Sequence, residues 1–290
     1  MDRAEAFEEH RGRLFGIAYR MLGSAADAED VVQDAFLRWL AVGDETIESP
    51  GAYLSTIVTR LSIDVLRSAR VRREEYVGPW LPEPMLTDGH PDASSNVALA
   101  DSLSMAFLVL LESLGPVERA AFLLREVFEY EYDEIADILE KSEAACRQIV
   151  KRAKAHIAER RPRFEPSVER RNALTSEFLR AIASGDMNGL LGVFAEDITF
   201  WSDGGGKVRA ALNPVHGADR VARLLLGLVS KAPDDFSSEP AIINGEPGTV
   251  MYIGGAAYAT MTLHIGPRGI EQIYLVVNPD KLGAIGSSRG

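Results

Sequence analysis

The stretch Tyr132–Arg160, YDEIADILEKSEAACRQIVKRAKAHIAER, predicts two helices joined by a short turn. Apolar residues recur at i, i+3, i+4 and i+7 in its first part, which is the pattern of an amphipathic helix. The turn is Glu140-Lys141-Ser142, where Ser142 can cap the second helix by accepting a bond from its first turn. Two helices with so short a turn are typical of a helix-turn-helix, which places its second helix in the DNA major groove.

The second helix of this stretch has two contrasting faces. One narrow stripe is apolar and holds Cys146, Ile149, Val150, Ala153 and Ile157. The opposite face holds Ala144, Arg147, Gln148, Lys151 and Ala155. Arginine and glutamine can read guanine and adenine edges, lysine can hold a phosphate, and small residues permit a close approach. DNA binding is therefore favoured over the alternative, an ordinary helical hairpin with a basic surface. Cys146 is expected to be a packed core thiol.

The composition is that of a soluble globular protein of roughly two domains. The chain has 290 residues, of which 46% are hydrophobic and 26% charged. Cys146 is its one cysteine, so we expect no disulfide framework and no thiolate metal cluster. No other metal site and no cofactor are expected. The first residues, MDRAEAFEEH, contain no hydrophobic run, and no apolar run approaches the ~18 residues that span a bilayer. We expect a cytoplasmic protein without a membrane partner.

The charges are unevenly distributed along the chain. The net charge is −12, which by itself disfavours DNA binding, since affinity for DNA comes largely from neutralising phosphates. The basic residues of the first half nevertheless cluster, in one block from Arg60 to Arg73 and another from Lys141 to Arg163. Acidic residues collect in 2–48 and 112–140. This polarity indicates two partners, nucleic acid on the basic faces and a basic partner on an acidic face.

Three helices are predicted in the first 74 residues, about Ala4–Leu22, Ser24–Ala41 and Ala52–Arg73. One face of the second helix carries Asp30, Gln33, Asp34 and the apolar Leu37. A solvated acidic face with one exposed leucine is favoured from this segment alone, and a docking face for a basic partner is the alternative. The third helix projects Arg60, Arg67 and Arg70, which suggest phosphate contacts more than an ordinary charged surface.

A loop over Val42–Ser49, closed by Pro50-Gly51, is predicted before the third helix. Residues 74–92 lose helical periodicity and predict a linker with few fixed contacts. Trp80 and Leu81 are too apolar for a passive tether, so the WLPEP segment is expected to dock. A helix over Asn96–Leu114 follows. Beyond Pro166, helices come first and strands later, which predicts an α+β domain with a pocket.

Catalysis in this last domain was weighed and is not expected. Asp203 and His264 are the candidate acid and base. Asp203 lies in Asp-Gly-Gly-Gly-Lys, however, which predicts a surface turn, and a single strand histidine is more often structural. No residues form a nucleophile triad or a metal set, so no catalytic residue is assigned.

These segments resemble the sigma-70 family of bacterial transcription initiation factors. Asp27–Arg38, DAEDVVQDAFLR, resembles region 2.2; Ile57–Arg73, IVTRLSIDVLRSARVRR, resembles regions 2.3–2.4; and Leu114–Arg152 resembles region 4. With little between them beyond a linker, the arrangement is similar to the extracytoplasmic-function (ECF) sigma factors. The resemblance implies two all-α domains, 1–74 and 96–163, around a linker at 75–95.

The resemblance also implies partners and their contact residues. Asp30, Gln33, Asp34 and Leu37 would bind the β′ clamp helices of core RNA polymerase, and region 4 its β flap. The helix with Arg60, Arg67 and Arg70 would engage the minus-10 element of promoter DNA. The minus-35 element would be contacted by Arg147, Gln148, Lys151 and Arg152. Polymerase would then supply much of the affinity for DNA phosphates, which accounts for DNA binding by an acidic protein.

Residues 168–290 resemble the SnoaL-like domains. A subgroup of ECF sigma factors carries such a domain together with three motifs, WLPEP, DGGGK and NPDKL, all present here. They contribute the predicted regulatory interface: Trp80, Leu81, Pro82, Asp203, Gly204, Gly205, Gly206, Lys207, Asn278, Pro279, Asp280, Lys281 and Leu282. The resemblance implies a fused regulator that packs on regions 2 and 4, with a small-molecule ligand in its pocket as a candidate trigger.

Two alternatives remain open from the sequence. One is a ligand-responsive DNA-binding regulator that acts without polymerase, for which direct promoter binding by the isolated protein would be diagnostic. The other is a SnoaL-like enzyme with a DNA-binding module, for which a turnover lost in Asp203→Ala or His264→Ala would be diagnostic.

Overall fold

The computed structural model describes residues 3–42, 47–74, 76–87, 102–158 and 167–286, without the side chains of 69–74. Contacts between residues divide the chain into two compact units. The helical unit comprises Met1–Glu75 and Phe107–Arg160, and the sheet unit comprises Tyr76–Ala106 and Arg161–Gly290. By its contacts, residues 76–87 of the expected linker belong to the sheet unit. No described helix is both long and apolar enough to cross a membrane.

Seven helices among the described residues up to 158 build or border the helical unit. They are α1 (Arg3–Leu22), α2 (Ala25–Ala41), α3 (Pro50–Glu74), α4 (Met105–Leu111), α5 (Pro116–Glu126), α6 (Tyr132–Leu139) and α7 (Glu143–Ala158). α1 packs against α2 and α3, α5 packs against α7, and α1 and α3 also contact α5. The predicted all-α character of both segments is confirmed.

Two helix boundaries differ from the sequence-based expectation. Pro50 and Gly51 do not close a loop but begin α3, because proline's fixed φ suits a first helical turn. The helix expected over Asn96–Leu114 is confirmed over Met105–Leu111, but it is wrong at 102–104, which form a turn, and beyond Leu111, where α4 ends. The N–H groups of Glu112 and Ser113 bond carbonyls three residues back, so the chain tightens into turns before Pro116. Residues 96–101 lie outside the described part.

The predicted caps are confirmed. The Ser24 side chain accepts a hydrogen bond from the Asp27 N–H at 3.1 Å, and that of Ser142 accepts one from the Ala145 N–H at 3.3 Å. Glu140, at the end of α6, has a φ of 52°, the left-handed conformation that reverses the chain between the two helices. The helix-turn-helix is therefore set by local chemistry.

Helical periodicity in the sequence predicts an apolar stripe of Leu54, Ile57, Val58, Leu61 and Val65 for α3, and the buried side is rotated relative to it. Leu54 and Val58 are buried as expected, whereas Ile57 is half-buried. Ser55 and Ser62 are buried in its place. The Ser62 hydroxyl donates to the Val58 carbonyl at 2.8 Å, which satisfies its polar group inside the helix.

The sheet unit combines three helices and six strands in its described residues. The helices are α8 (Val168–Ser184), α9 (Met187–Val193) and α10 (Ala218–Val229). The strands are β1 (Phe194–Asp203), β2 (Val215–His216), β3 (Phe236–Ile243), β4 (Glu246–Ile253), β5 (Ala256–Gly266) and β6 (Gly269–Val276). A short 3₁₀ turn, Pro279–Lys281, follows β6. The predicted α+β class is confirmed.

The strands form one sheet in the order β2-β1-β6-β5-β4-β3. β1 pairs with β6 in parallel and the other pairs are antiparallel. One face of the sheet packs against α8, α9 and α10 through a core that includes Phe178, Leu190, Phe200, Val221 and Ile273. The chain after β1 and the chain after β6 therefore emerge side by side at one edge of this core.

The expected linker is held on the sheet unit by backbone bonds. Leu86 forms a β-bridge with Ile243 at the end of β3. The Asn244 N–H donates to the Met85 carbonyl at 2.8 Å, and the Asn244 side chain accepts from the Met85 N–H at 3.1 Å. The expectation of few fixed contacts is thus wrong for residues 76–87, while the expected docking of the WLPEP segment is seen.

Candidate functional site

The exposed face of α2 presents all four residues predicted to bind polymerase. Asp30, Gln33, Asp34 and Leu37 are exposed, and the Leu37 side chain is 57% accessible. The opposite side of α2 is buried through Ala28, Val31, Val32, Ala35 and Trp39. Burial of that side fixes the orientation of the helix and leaves an apolar leucine among acidic and amide groups in solvent.

The second helix of the helix-turn-helix, α7, has the two faces that its sequence predicts. Its apolar stripe, Cys146, Ile149, Val150, Ala153 and Ile157, is buried. Burial raises the pKa of the Cys146 thiol, as expected of a packed cysteine. The four predicted DNA contacts, Arg147, Gln148, Lys151 and Arg152, are exposed on the other side. The Arg147 guanidinium lies 2.6 Å from the Glu143 carboxylate one turn earlier.

Arg60, a predicted minus-10 contact, is placed against the helix-turn-helix. Its guanidinium donates to the carbonyls of Asp137 and Ile138, both at 2.9 Å, and pairs with the Glu140 carboxylate at 2.9 Å. These carbonyls end α6, where the helix dipole is negative and favours a cation. Arg67 is exposed and pairs with Asp64 at 3.2 Å. The side chain of Arg70 lies outside the described residues.

Three further contacts join α1–α3 to the segment from α5 to α7, and sequence reasoning missed them. Arg13 donates to the Phe128 carbonyl at 2.9 Å, and its guanidinium lies over the Tyr130 ring at 5.0 Å. The Tyr130 hydroxyl donates to Ser55 at 2.7 Å. Arg119 donates to the Met21 carbonyl at 2.7 Å. The sequence offered one signal, Arg119 within an apolar helix stripe.

Arg119 is the buried cation among these groups. Its side chain is 3% exposed and forms an ion pair with Glu112 at 2.7 Å. Burial lowers its pKa to about 9, because the charged form is removed from water. A buried guanidinium bonded to the end of α1 ties α5 firmly to the first three helices.

The second candidate site lies where the chains after β1 and β6 meet the WLPEP segment. Asp203, at the end of β1, is fully buried, and its carboxylate forms an ion pair with Lys281 at 2.7 Å. The same carboxylate accepts the Tyr76 hydroxyl at 2.6 Å and the N–H groups of Leu81 at 2.9 Å and Gly205 at 3.0 Å. The prediction that Asp203 lies in a surface turn is wrong, since β1 extends through it.

Lys281 completes the connection to the linker. Its ammonium donates to the Leu81 carbonyl as well as to Asp203, and it lies 4.1 Å from the centre of the Trp80 ring. Such a contact stabilises a desolvated cation. The Leu81 N–H therefore donates to Asp203 and the Leu81 carbonyl accepts from Lys281, the two partners of one buried ion pair.

Tyr76 adds a hydroxyl that keeps its proton. Burial first, and then the Asp203 carboxylate, raise the pKa of Tyr76 above its ordinary value. The hydroxyl accepts a hydrogen bond from the Asn278 amide at 2.9 Å while donating to Asp203. The linker and the segment after β6 are thereby joined through one carboxylate.

The glycines of DGGGK are required by close packing. Gly205 and Gly206 have φ of 60° and 70°, and a Cβ at Gly205 would collide with Asn278. Lys207 closes the loop on the 3₁₀ turn through Asp280 at 2.6 Å. Pro82 and Leu282 are buried, whereas Pro279 is exposed. The structure thus brings together WLPEP, DGGGK and NPDKL.

The comparisons with known proteins agree on one family. A model of sigma-70 region 2 matches residues 6–72, and a model of sigma-70 region 4 matches residues 104–157. The ECF RNA polymerase sigma factor SigJ of Mycobacterium tuberculosis is 37% identical over 95% of this chain and 91% of its own length. This chain belongs to the ECF sigma factor family.

Two other likenesses extend this family membership to the whole chain. The probable ECF RNA polymerase sigma factor SigI of Mycobacterium tuberculosis is 30% identical over 98% of this chain and 96% of its own. The crystal structure of Mycobacterium tuberculosis SigJ superposes with a TM-score of 0.78 at 33% identity, covering 97% of this chain and 98% of that one. The sheet unit is therefore part of the fold shared with SigJ, and the predicted ECF sigma factor family is confirmed.

Proposed function

We propose that this ECF sigma factor binds core RNA polymerase through the α2 face, Asp30, Gln33, Asp34 and Leu37. In this proposal α7 reads the minus-35 element and α3 engages the minus-10 element. The exposed acidic face and the separate basic face of α7 support it, because they fit two partners of opposite charge.

We further propose that the packed helical unit is a closed state. The observation that carries this is Arg60, whose guanidinium is taken up by the end of α6 and by Glu140. Promoter elements centred roughly 25 base pairs apart are about 85 Å apart along B-DNA. α3 and α6 in direct contact do not match that separation, so promoter binding requires their contacts to break.

The sheet unit is proposed to control this opening through the linker. Residues 76–87 connect α3 to the later helices and are themselves bound at Asp203 and Asn244. We propose that separation of α1–α3 from α5–α7 moves or releases this segment. Polymerase and a small-molecule ligand of the sheet unit are the two candidate triggers.

We propose no catalytic role for Asp203. Its two oxygens accept from Tyr76, Leu81, Gly205 and Lys281, which leaves no oxygen available to take a substrate proton. No group of three potential metal-ligating side chains occurs among the residues that the structure describes. The enzyme alternative thus rests on no specific observation.

Transcription with purified core polymerase tests the proposed function. Full-length protein and core polymerase together are expected to give run-off transcripts from a library of random upstream sequences, with a recurring pair of elements selected. Core polymerase alone should select none. Promoter-specific binding by the isolated protein, without any dependence on polymerase, would instead support the regulator alternative.

If the packed helical unit is a closed state, combining Arg13→Ala with Tyr130→Phe should increase the population of open molecules. These changes remove three contacts between α1–α3 and the segment from α5 to α7, and we expect the closed state to weaken by about 1–2 kcal/mol. The open population should then rise roughly 5- to 30-fold. Single-molecule energy transfer between dyes on cysteines placed at Glu9 and Ala155 would measure it in the full chain.

Arg11→Ala provides the matched control for this measurement. Arg11 is also an exposed arginine of α1, but it pairs with Glu29 of α2 at 2.7 Å, within one helical part. Its loss should leave the open population unchanged. Equal behaviour of the control and the double variant would contradict the assignment of these contacts to a closed state.

A further inference from the structure

Tyr132, the first residue of the helix-turn-helix, contacts the side chain that is best placed to read a base. The Arg147 guanidinium lies over the Tyr132 ring, 5.0 Å from its centre. Arg147 is on the exposed face of α7 and its side chain is 54% accessible. An aromatic ring beneath an exposed guanidinium restricts the directions in which that guanidinium can point.

The Tyr132 ring is itself held from the preceding helix. The Arg125 guanidinium lies over the same ring at 4.9 Å. Arg125 is fixed in turn by the Tyr130 carbonyl at 2.8 Å and the Glu131 carboxylate at 3.0 Å. A chain of contacts therefore runs from α5 through the start of α6 to the recognition helix.

Glu143 holds Arg147 from its own helix. The carboxylate pairs with the guanidinium at 2.6 Å, so Arg147 is restrained by a ring and by an acid. A guanine that Arg147 contacts must replace the carboxylate, whereas the ring can stay in place below the guanidinium. The ring is thus a restraint that is compatible with the bound state.

We propose that Tyr132 is a positioning residue for promoter recognition, which orients Arg147 so that it discriminates one base pair of the minus-35 element. Bidentate recognition of guanine needs a guanidinium plane in one orientation. Ordering such a side chain in advance lowers the entropy lost on binding the correct base. The inference rests on the proposed entry of α7 into the minus-35 element.

The test is selection of minus-35 sequences from a randomised library by full-length protein with core polymerase. Arg147→Ala identifies the base pair that Arg147 reads, because preference there should be lost. Tyr132→Leu should reduce the preference at that same pair by about 2- to 5-fold, the range of an exposed cation–π contact. Preferences at the other positions should remain as in the unmodified protein.

Tyr132→Phe is the matched variant, since it keeps the ring and removes only the hydroxyl. Its preference at the base pair that Arg147 reads should equal that of the unmodified protein. A uniform weakening at all positions in Tyr132→Leu, or an equal loss in Tyr132→Phe, would overturn the inference by making the residue part of the fold alone. An Arg147→Ala protein with unchanged base preferences would overturn it as well.

Failure of the proposed function gives a different result. If neither the unmodified protein nor any variant supports transcription with core polymerase, the sigma-factor role fails. Sequences are then selected from the same library by the protein alone. A base preference lost in Arg147→Ala and reduced in Tyr132→Leu would still support positioning by the ring, and an unchanged preference would sink it.

Discussion

Replacing Asp203 by alanine is expected to lower the free energy of unfolding of the sheet unit by about 3–5 kcal/mol. Asp203 is fully buried and the Lys281 side chain is 11% exposed, so the change leaves an ammonium without its counter-charge away from water. It also removes the acceptor for Tyr76 and for the Leu81 N–H. We expect Tyr76 and Leu81 to lose their attachment at Asp203, while the bonds of Met85 and Leu86 to Asn244 and Ile243 remain.

Tryptophan fluorescence during urea unfolding measures this effect. The chain has three tryptophans, of which Trp80 and Trp201 lie in the sheet unit, so a Trp39→Phe background confines the signal to that unit. Asp203→Asn keeps a hydrogen-bond acceptor and isolates the loss of charge. Adding Lys281→Met to Asp203→Asn should recover much of the stability, since the unpaired charge is then gone. A loss below about 1 kcal/mol in Asp203→Ala would contradict the structural role of the ion pair.

Charge reversal at Asp34 is expected to have the largest effect on transcription. Asp34→Lys places a cation at the centre of the exposed α2 face, against a partner surface that we propose to be basic. A like charge in such an interface costs about 2–3 kcal/mol, which corresponds to roughly 30- to 140-fold weaker polymerase binding. The fold should be unaffected, because Asp34 is exposed.

Titration of labelled full-length protein with core polymerase measures the affinity directly. Glu9→Lys is the matched control, since Glu9 is an exposed acid on α1 and the change in net charge is the same. The control should bind within a few-fold of the unmodified protein. Equal losses for the two variants would assign the effect to net charge and remove the support for a specific α2 face.

The faces of α2 and α7 could be predicted from the sequence because they follow from helical periodicity. A helix repeats every 3.6 residues, so the spacing of Val31, Val32 and Ala35 places Asp34 and Leu37 in solvent. The same rule separates Cys146 and Ile149 from Arg147. Caps at Ser24 and Ser142 are equally local, since each involves residues three apart.

Residues with distant partners were assigned less accurately. A serine is assigned to the exposed side of a helix when a hydrophobic pattern is read, yet Ser55 is buried and accepts a hydrogen bond from the Tyr130 hydroxyl, 75 residues later. Asp203 lies beside three glycines, which predict an exposed turn. Its ion pair with Lys281 bridges 78 residues, and no local pattern indicates it. The motifs WLPEP, DGGGK and NPDKL were identified by resemblance to a family, and that resemblance does not predict which of their side chains contact one another.

The sequence by itself determined the helix-turn-helix, the acidic α2 face and the order of helices and strands, since each depends on residues within a few turns or one strand. Only the tertiary structure decided the partners of Arg60, Arg119 and Asp203. Their charges are evident in the sequence, but whether a charge faces water, a helix end or a buried counter-charge depends on which distant segments pack together. Tyr132 depends on both, because its place at the start of the motif follows from the local sequence, whereas the contact of its ring with the Arg147 guanidinium follows from the packing of the two helices.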